Sequence, residues 1–169
     1  MVVKSICSIK VVEGDLLEQN VDVIVHPWHR NVLPWWLLPL RGISKRIKAR
    51  AGAQPFVELG RGPIPLGGAR LTSAGRLNYQ GIIHVAGVDL IGRTRPDVVS
   101  NAVHSACAVA RGAGYARLAM PILNIGAAGP QDVDALHCIL SALRTCDHAL
   151  DVTVVQCRVT VMAGARAAI

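Results

Sequence analysis

Val21-Asp22-Val23-Ile24-Val25, an irregular segment from 26 to 41, and then Gly42-Ile43-Ser44-Lys45 decide how this chain is read. The first five residues are mostly apolar and β-branched, as a strand covered on both faces requires. The last four pass through a glycine into a helix expected to end near Gly52. The pattern recurs further on. Residues 117–123 read as a strand and 124–129 as a loop. Pro130 then opens a helix whose polar face carries Asp134, His137, Ser141 and His148. Working outward, residues 6–12, 69–74, 81–86 and 152–157 read as further strands, and Gly14-Asp15 as a turn. Pro96 suits the first turn of a long helix ending near Gly112 or Gly114, with Asp97, Asn101, His104 and Arg111 along its polar stripe. Strands alternating with helices imply an α/β fold with helices on both faces of a largely parallel sheet. Ligands of such sheets bind beyond the carboxyl ends of the strands.

Two glycine-containing loops fall at that end. One is Gly42-Ile43-Ser44; the other is Gly126-Ala127-Ala128-Gly129, ahead of Pro130. The start of a helix offers unbonded N–H groups and a partial positive charge, and glycine lets backbone approach a phosphate. Two such loops on one rim suit a diphosphate; taken singly, each glycine is better read as a turn former. Neither loop has the Gly-Lys-Ser/Thr ending of a Walker motif, and neither follows a first strand as G-x-G-x-x-G, so kinase and dinucleotide-dehydrogenase readings are disfavoured.

Composition agrees with an anion-binding domain. The chain has 169 residues, 18 Lys and Arg against 11 Asp and Glu, a formal net charge of +7, and 51% hydrophobic residues. That is enough apolar material for one domain core, and the basic balance favours anionic partners. The chain is expected to form a single domain, with its core over about residues 5–160 and a frayed tail. The first ten residues lack the apolar core of a signal peptide, and the longest apolar stretch is too short to span a bilayer. The five cysteines, at 7, 107, 138, 146 and 157, contain no C-x-x-C pair and read as small core residues in a reduced cytoplasm. No cofactor or metal is expected.

Several segments, in order and over residues 6–157, resemble the macrodomain family. Val12-Glu13-Gly14-Asp15-Leu16 resembles its first-strand G-D-I/L motif. Residues 21–25 are similar to its V-D-A-I-V strand. Gly42-Ile43-Ser44-Lys45-Arg46-Ile47 with Ala51-Gly52 resembles its first phosphate loop and helix. The stretch from Gly68 through Thr72 and Leu77 to Ile82-Ile83-His84-Val85-Ala86-Gly87 resembles its G-x-A-x-x-T…L…V-I-H-x-x-G run, and Met120-Pro121 to Gly129 its second phosphate loop. The resemblance implies a three-layer α/β/α fold with a mixed, largely parallel central sheet, and ADP-ribose as ligand. It implies that Asp15 accepts a hydrogen bond from the adenine amino group with Leu16 beside it. It also implies that Gly42, Ile43 and Ser44 line one side of the diphosphate, and Gly126, Ala127, Ala128 and Gly129 the other.

This chain departs from the family at three places. The family's Asn-Ala-Ala-Asn is His26-Pro27-Trp28-His29 here, which puts His26 at the ligand and His29 where an Asn orients the distal ribose. The acid that hydrolytic relatives carry after Gly-Val is Ser44, which cannot act as a carboxylate base. Imidazole titrates near neutrality, so His29 is the candidate general base if the protein is catalytic. The segment 32–40, with Trp35 and Trp36, is read either as an aromatic lid over the ligand or as a stiff hydrophobic plug. His84, inside an apolar strand, is expected to be a satisfied core histidine; His104, His137 and His148 are expected to be solvated. Three functions remain in view: binding ADP-ribose or an ADP-ribosylated target, hydrolysing ADP-ribosyl linkages, and binding nucleic acid through the basic helix that starts at Gly42.

Overall fold

The computed structural model describes residues 7–29, 40, 42–60, 62–88, 95–123, 132–146 and 149–157. Six strands form one mixed sheet: β1 (Ser8–Gly14), β2 (Val23–His29), β3 (Ala69–Thr72), β4 (Gly81–Val88), β5 (Arg117–Pro121) and β6 (Asp151–Cys157), in the spatial order β1-β6-β5-β2-β4-β3. All neighbours are parallel except β3, which runs antiparallel to β4 at one edge. Four helices accompany the sheet: α1 (Gly42–Ala51), α2 (Gln54–Leu59), α3 (Pro96–Gly112) and α4 (Asp132–Arg144). A 3-10 turn over Leu16–Glu18 follows β1.

Strand alternation sorts the core into two layers. Val23, Val25, Ile83, Val85, Leu118, Met120, Val152 and Val154 face α3 and α4, packing on Val99, Val103, Cys107, Ile139 and Leu143. The intervening residues Ile24, Trp28, Ile82, Ala86, Ala119 and Val155 face the other way, onto Leu16, Ile47, Phe56 and Leu59 of the 3-10 turn, α1 and α2. The result is the three-layer α/β/α arrangement expected from the alternation of elements. Pro96 occupies the first turn of α3, and Gly114 follows its end with φ 80°, as the sequence led one to expect.

One local expectation is corrected, and two features are added to the sequence reading. The second strand does not stop at Val25 but continues through His26, Pro27 and Trp28 to His29, with a register shift against β4 between Trp28 and His29. Pro27 is tolerated because β5 pairs with β2 only at Val23 and Ile24, so the proline lies beyond the doubly paired part of the strand. A short helix, α2, was not foreseen; its Pro55 sits at the helix start, and one and a half turns are too few for a periodic signal. His104 is exposed, yet its Nε2 lies 3.0 Å from the Ala142 carbonyl and 2.9 Å from Thr145 Oγ1, tying α3 to the end of α4 rather than serving water alone.

Asp22, in the V-D-V-I-V stretch, has a structural role. Its carboxylate accepts from the amides of Ala116 (3.1 Å) and Arg117 (2.8 Å) and from the Arg117 guanidinium (2.7 Å), joining the starts of β2 and β5. The Arg117 hydrogen bond, reinforced by the two amides, holds this carboxyl below its usual pKa although burial opposes that shift. A group with a depressed folded pKa stabilises the protein above its unfolded pKa, and that contribution is lost as pH falls through the folded value. Asp22→Ala should therefore cost about 1.5–3 kcal/mol at neutral pH, the range for hydrogen bonds to a charged group. In denaturant melts the gap to the wild type should close as pH drops below about 4. A gap that does not change with pH would assign the loss to packing instead.

Candidate functional site at the start of α1

The parallel register of β2 and β4 sets His26 directly beside His84. Both side chains point to the α1/α2 layer, on the same face as Ile24 and Ile82, and both are fully buried. Two histidines meeting inside a core need hydrogen-bond partners for four ring nitrogens. They serve each other with one pair: His26 Nδ1 lies 2.9 Å from His84 Nδ1. The outer nitrogens find hydroxyls. His26 Nε2 lies 2.8 Å from Ser44 Oγ on α1, and His84 Nε2 lies 2.9 Å from Thr72 Oγ1 on β3. A continuous chain Ser44–His26–His84–Thr72 thus runs beneath the start of α1.

Aromatic rings enclose the pair. Trp28 and Phe56 stand 5.2 and 5.9 Å from the His26 ring, and Phe56 is 6.2 Å from His84. Such surroundings disfavour charge: burial, followed by the repulsion of Arg70, pushes the His84 pKa down to about 3, so this ring is neutral throughout the physiological range. The expectation of a satisfied core histidine at 84 is met.

Above the chain lies the first glycine loop. Gly42 has φ 52°, a left-handed conformation natural to glycine, and a Cβ placed there would meet nothing within 4 Å. Ser44 is partly exposed, and its hydroxyl contacts His26. Ile43 packs onto the core beneath. His26, expected at the ligand, has no exposed surface, and its Nε2 meets the Ser44 hydroxyl.

The adenine-end residues are also placed. Asp15 caps the 3-10 turn by accepting from the Leu17 amide at 3.0 Å, and it forms an ion pair with Arg46 of α1. Partial burial alone would raise its pKa, but the Arg46 hydrogen bond, the Leu17 amide and the charges of Arg46 and Arg50 hold it below the usual value. Leu16 is wholly buried in the core. Tyr79 braces this corner, its hydroxyl donating to the Gln19 carbonyl at 3.1 Å.

His29 ends β2, opposite Val88. Gly126, Ala127, Ala128 and Gly129 of the second loop, Trp35 and Trp36, the helix start at Pro130, His148 and the tail lie outside the described residues. Among the described residues, no group of three or more His, Cys, Asp or Glu side chains is arranged to hold a metal ion, and no helix is long and apolar enough to cross a membrane. Sequence reasoning singled out His26 and Ser44 but missed Thr72 and Phe56 as their supports. It treated His84 as a separate core residue.

Comparison with known proteins now adds to this geometry. The family model described as Macro domain matches residues 33–139. An uncharacterised protein of Aquifex aeolicus is 32% identical over 131 residues, covering 76% of each chain. A macro domain-containing protein of Streptomyces griseus is 28% identical over 145 residues, covering 80% of this chain and 78% of its own. Among solved structures, the Oceanobacillus iheyensis macrodomain with ADP superposes with a TM-score of 0.72 at 20% identity, covering 87% of this chain and 81% of that one. The Trypanosoma brucei macrodomain in complex with ADP-ribose gives a TM-score of 0.72 at 22% identity, over 88% and 63% of the two chains. At such identities the structural likeness speaks for the fold, while the family model and the Aquifex relative speak for descent. The chain belongs to the macro domain family.

Proposed function

We propose that this protein binds ADP-ribose, free or attached to a target, across the start of α1. The observation that carries the reading is the open left-handed turn at Gly42, beside a Ser44 hydroxyl anchored from below by His26. Open space at a helix start, with amides facing outward, is what a diphosphate requires. Solved family members in complex with ADP and with ADP-ribose support that ligand class. In this reading Gly42, Ile43 and Ser44 form one wall, and Gly126, Ala127, Ala128 and Gly129 the other. Asp15 receives the adenine amino group once Arg46 shares or yields its carboxylate.

Binding rather than turnover is the main activity. Ser44 carries no charge with which to stabilise a developing positive centre, and the histidine behind it is buried beside a neutral partner. Calorimetric titration with ADP-ribose, AMP and ribose 5-phosphate at one salt concentration should show saturable binding of ADP-ribose and much weaker binding of the fragments. Release of free ADP-ribose from an aspartate- or glutamate-linked substrate should be slow or undetectable. Equal, negligible binding of all three ligands would reject the proposal. Brisk release would make the protein a hydrolase, with His29 the first residue to test.

A further inference from the structure

The Ser44–His26–His84–Thr72 chain has a direction, and the direction decides what Ser44 can bind. His84 is neutral, and where two imidazoles meet Nδ1 to Nδ1 one nitrogen must carry the proton and the other must not. Thr72 settles which. Its hydroxyl lies 3.0 Å from the Ser73 carbonyl and 3.5 Å from the Ile82 carbonyl, and a carbonyl can only accept. Ser73 is itself held in place, its amide and hydroxyl each donating to Glu58 at 2.7 Å. With its proton given to a carbonyl, Thr72 Oγ1 accepts from His84 Nε2–H. His84 Nδ1 is then bare and accepts from His26 Nδ1–H. Burial among aromatic rings favours the uncharged form of His26, whose Nε2 is then bare in turn and accepts the Ser44 proton. Ser44 therefore turns its O–H inward and shows only lone pairs to the site.

We propose that Ser44 is an acceptor for a ligand hydroxyl, a ribose hydroxyl rather than a phosphate oxygen, and that Thr72, His84 and His26 are positioning residues that set this polarity from beneath the sheet face. Phosphate oxygens carry only lone pairs at neutral pH and would face lone pairs at Ser44; a sugar hydroxyl supplies the donor that Ser44 lacks. The inference rests on the ADP-ribose reading and refines it by moving Ser44 from the diphosphate to a sugar.

The isosteric change Thr72→Val tests the polarity. It removes the acceptor for His84 Nε2–H, so His84 should move its proton to Nδ1. His26 should then carry its proton on Nε2, and Ser44 should turn its O–H outward. Nitrogen-15 NMR of the imidazoles distinguishes these tautomers. The free wild-type protein should show His26 protonated on Nδ1 and His84 on Nε2, with both reversed in Thr72→Val. The binding readout is the preference for ADP-ribose over ADP, which lacks the second ribose. That preference should fall about tenfold in Ser44→Ala and in Thr72→Val, with no further fall in the double variant, as expected for loss of one hydrogen bond. A purely structural Thr72 would lower the melting temperature and leave both the tautomers and the preference unchanged. An Nε2 proton on His26 in the free wild type overturns the relay. A wild type that binds ADP and ADP-ribose equally overturns the hydroxyl contact alone. If neither ligand binds while the tautomers are as expected, the relay stands and the ADP-ribose reading falls, taking the ribose contact with it.

Discussion

Gly42→Glu should abolish ADP-ribose binding while leaving a folded protein. A Cβ at Gly42 would touch nothing within 4 Å, so the new side chain has room, and that room is where the diphosphate is proposed to lie. The left-handed φ of 52° makes a non-glycine residue cost about 1–2 kcal/mol, which an ordinary domain survives. The carboxylate then both fills the space and repels the ligand's negative charge at short range. We expect affinity to fall by at least about a hundredfold, roughly 3 kcal/mol. Calorimetry, together with a melt showing one cooperative transition, checks the result. Gly126→Glu, in the loop that the family resemblance makes the second diphosphate wall, should act in the same way. A folded Gly42→Glu protein that keeps its affinity would mean that the diphosphate sits elsewhere.

Phe56→Ala should be the most destabilising single truncation around the site, at about 3–5 kcal/mol. Phe56 is fully buried on a helix of six residues and stands within 6.2 Å of the ring centroids of Trp28, His26 and His84. Its removal leaves a cavity beside His26 and beside His84, whose neutrality comes from burial. Water entering that cavity would offer the imidazoles competing partners and loosen the Ser44 contact. Chemical denaturation should show the stability loss, and ADP-ribose titration of the remaining folded protein should show weaker binding. A loss below about 1 kcal/mol would mean that α2 repacks freely over the sheet.

How much of this was legible in the sequence depended on the range of the interaction. Apolar runs identified the strands, and Pro96 and Gly114 bracketed α3, because those signals lie within a few residues of the structure they specify. The continuation of β2 through Pro27 was hidden, because a proline reads as a break unless the pairing of the neighbouring strands is known. The partnership of His26 with His84 spans 58 positions and arises from strand order and register, neither of which is written locally. The likeness to macrodomains brought Ser44 and Asp15 to attention but not their existing partners. Asp15 already holds Arg46 and the Leu17 amide, and Ser44 already holds a buried ring.

The pairing of β1 has a consequence for how the chain comes off the ribosome. Among the described residues β1 is an edge strand paired with β6, and their register joins Ser8 to Asp151 and Gly14 to Cys157. The pairs β2–β4, β2–β5 and β3–β4 can assemble from chain already made, but β1–β6 and β5–β6 must wait until residue 157 has cleared the exit tunnel. Until then β1, which leads directly into Asp15 and the 3-10 turn, lacks the partner it pairs with here. A chain stalled before β6 would leave β1 and the free side of β5 unpaired, strand edges of the kind that other copies can capture.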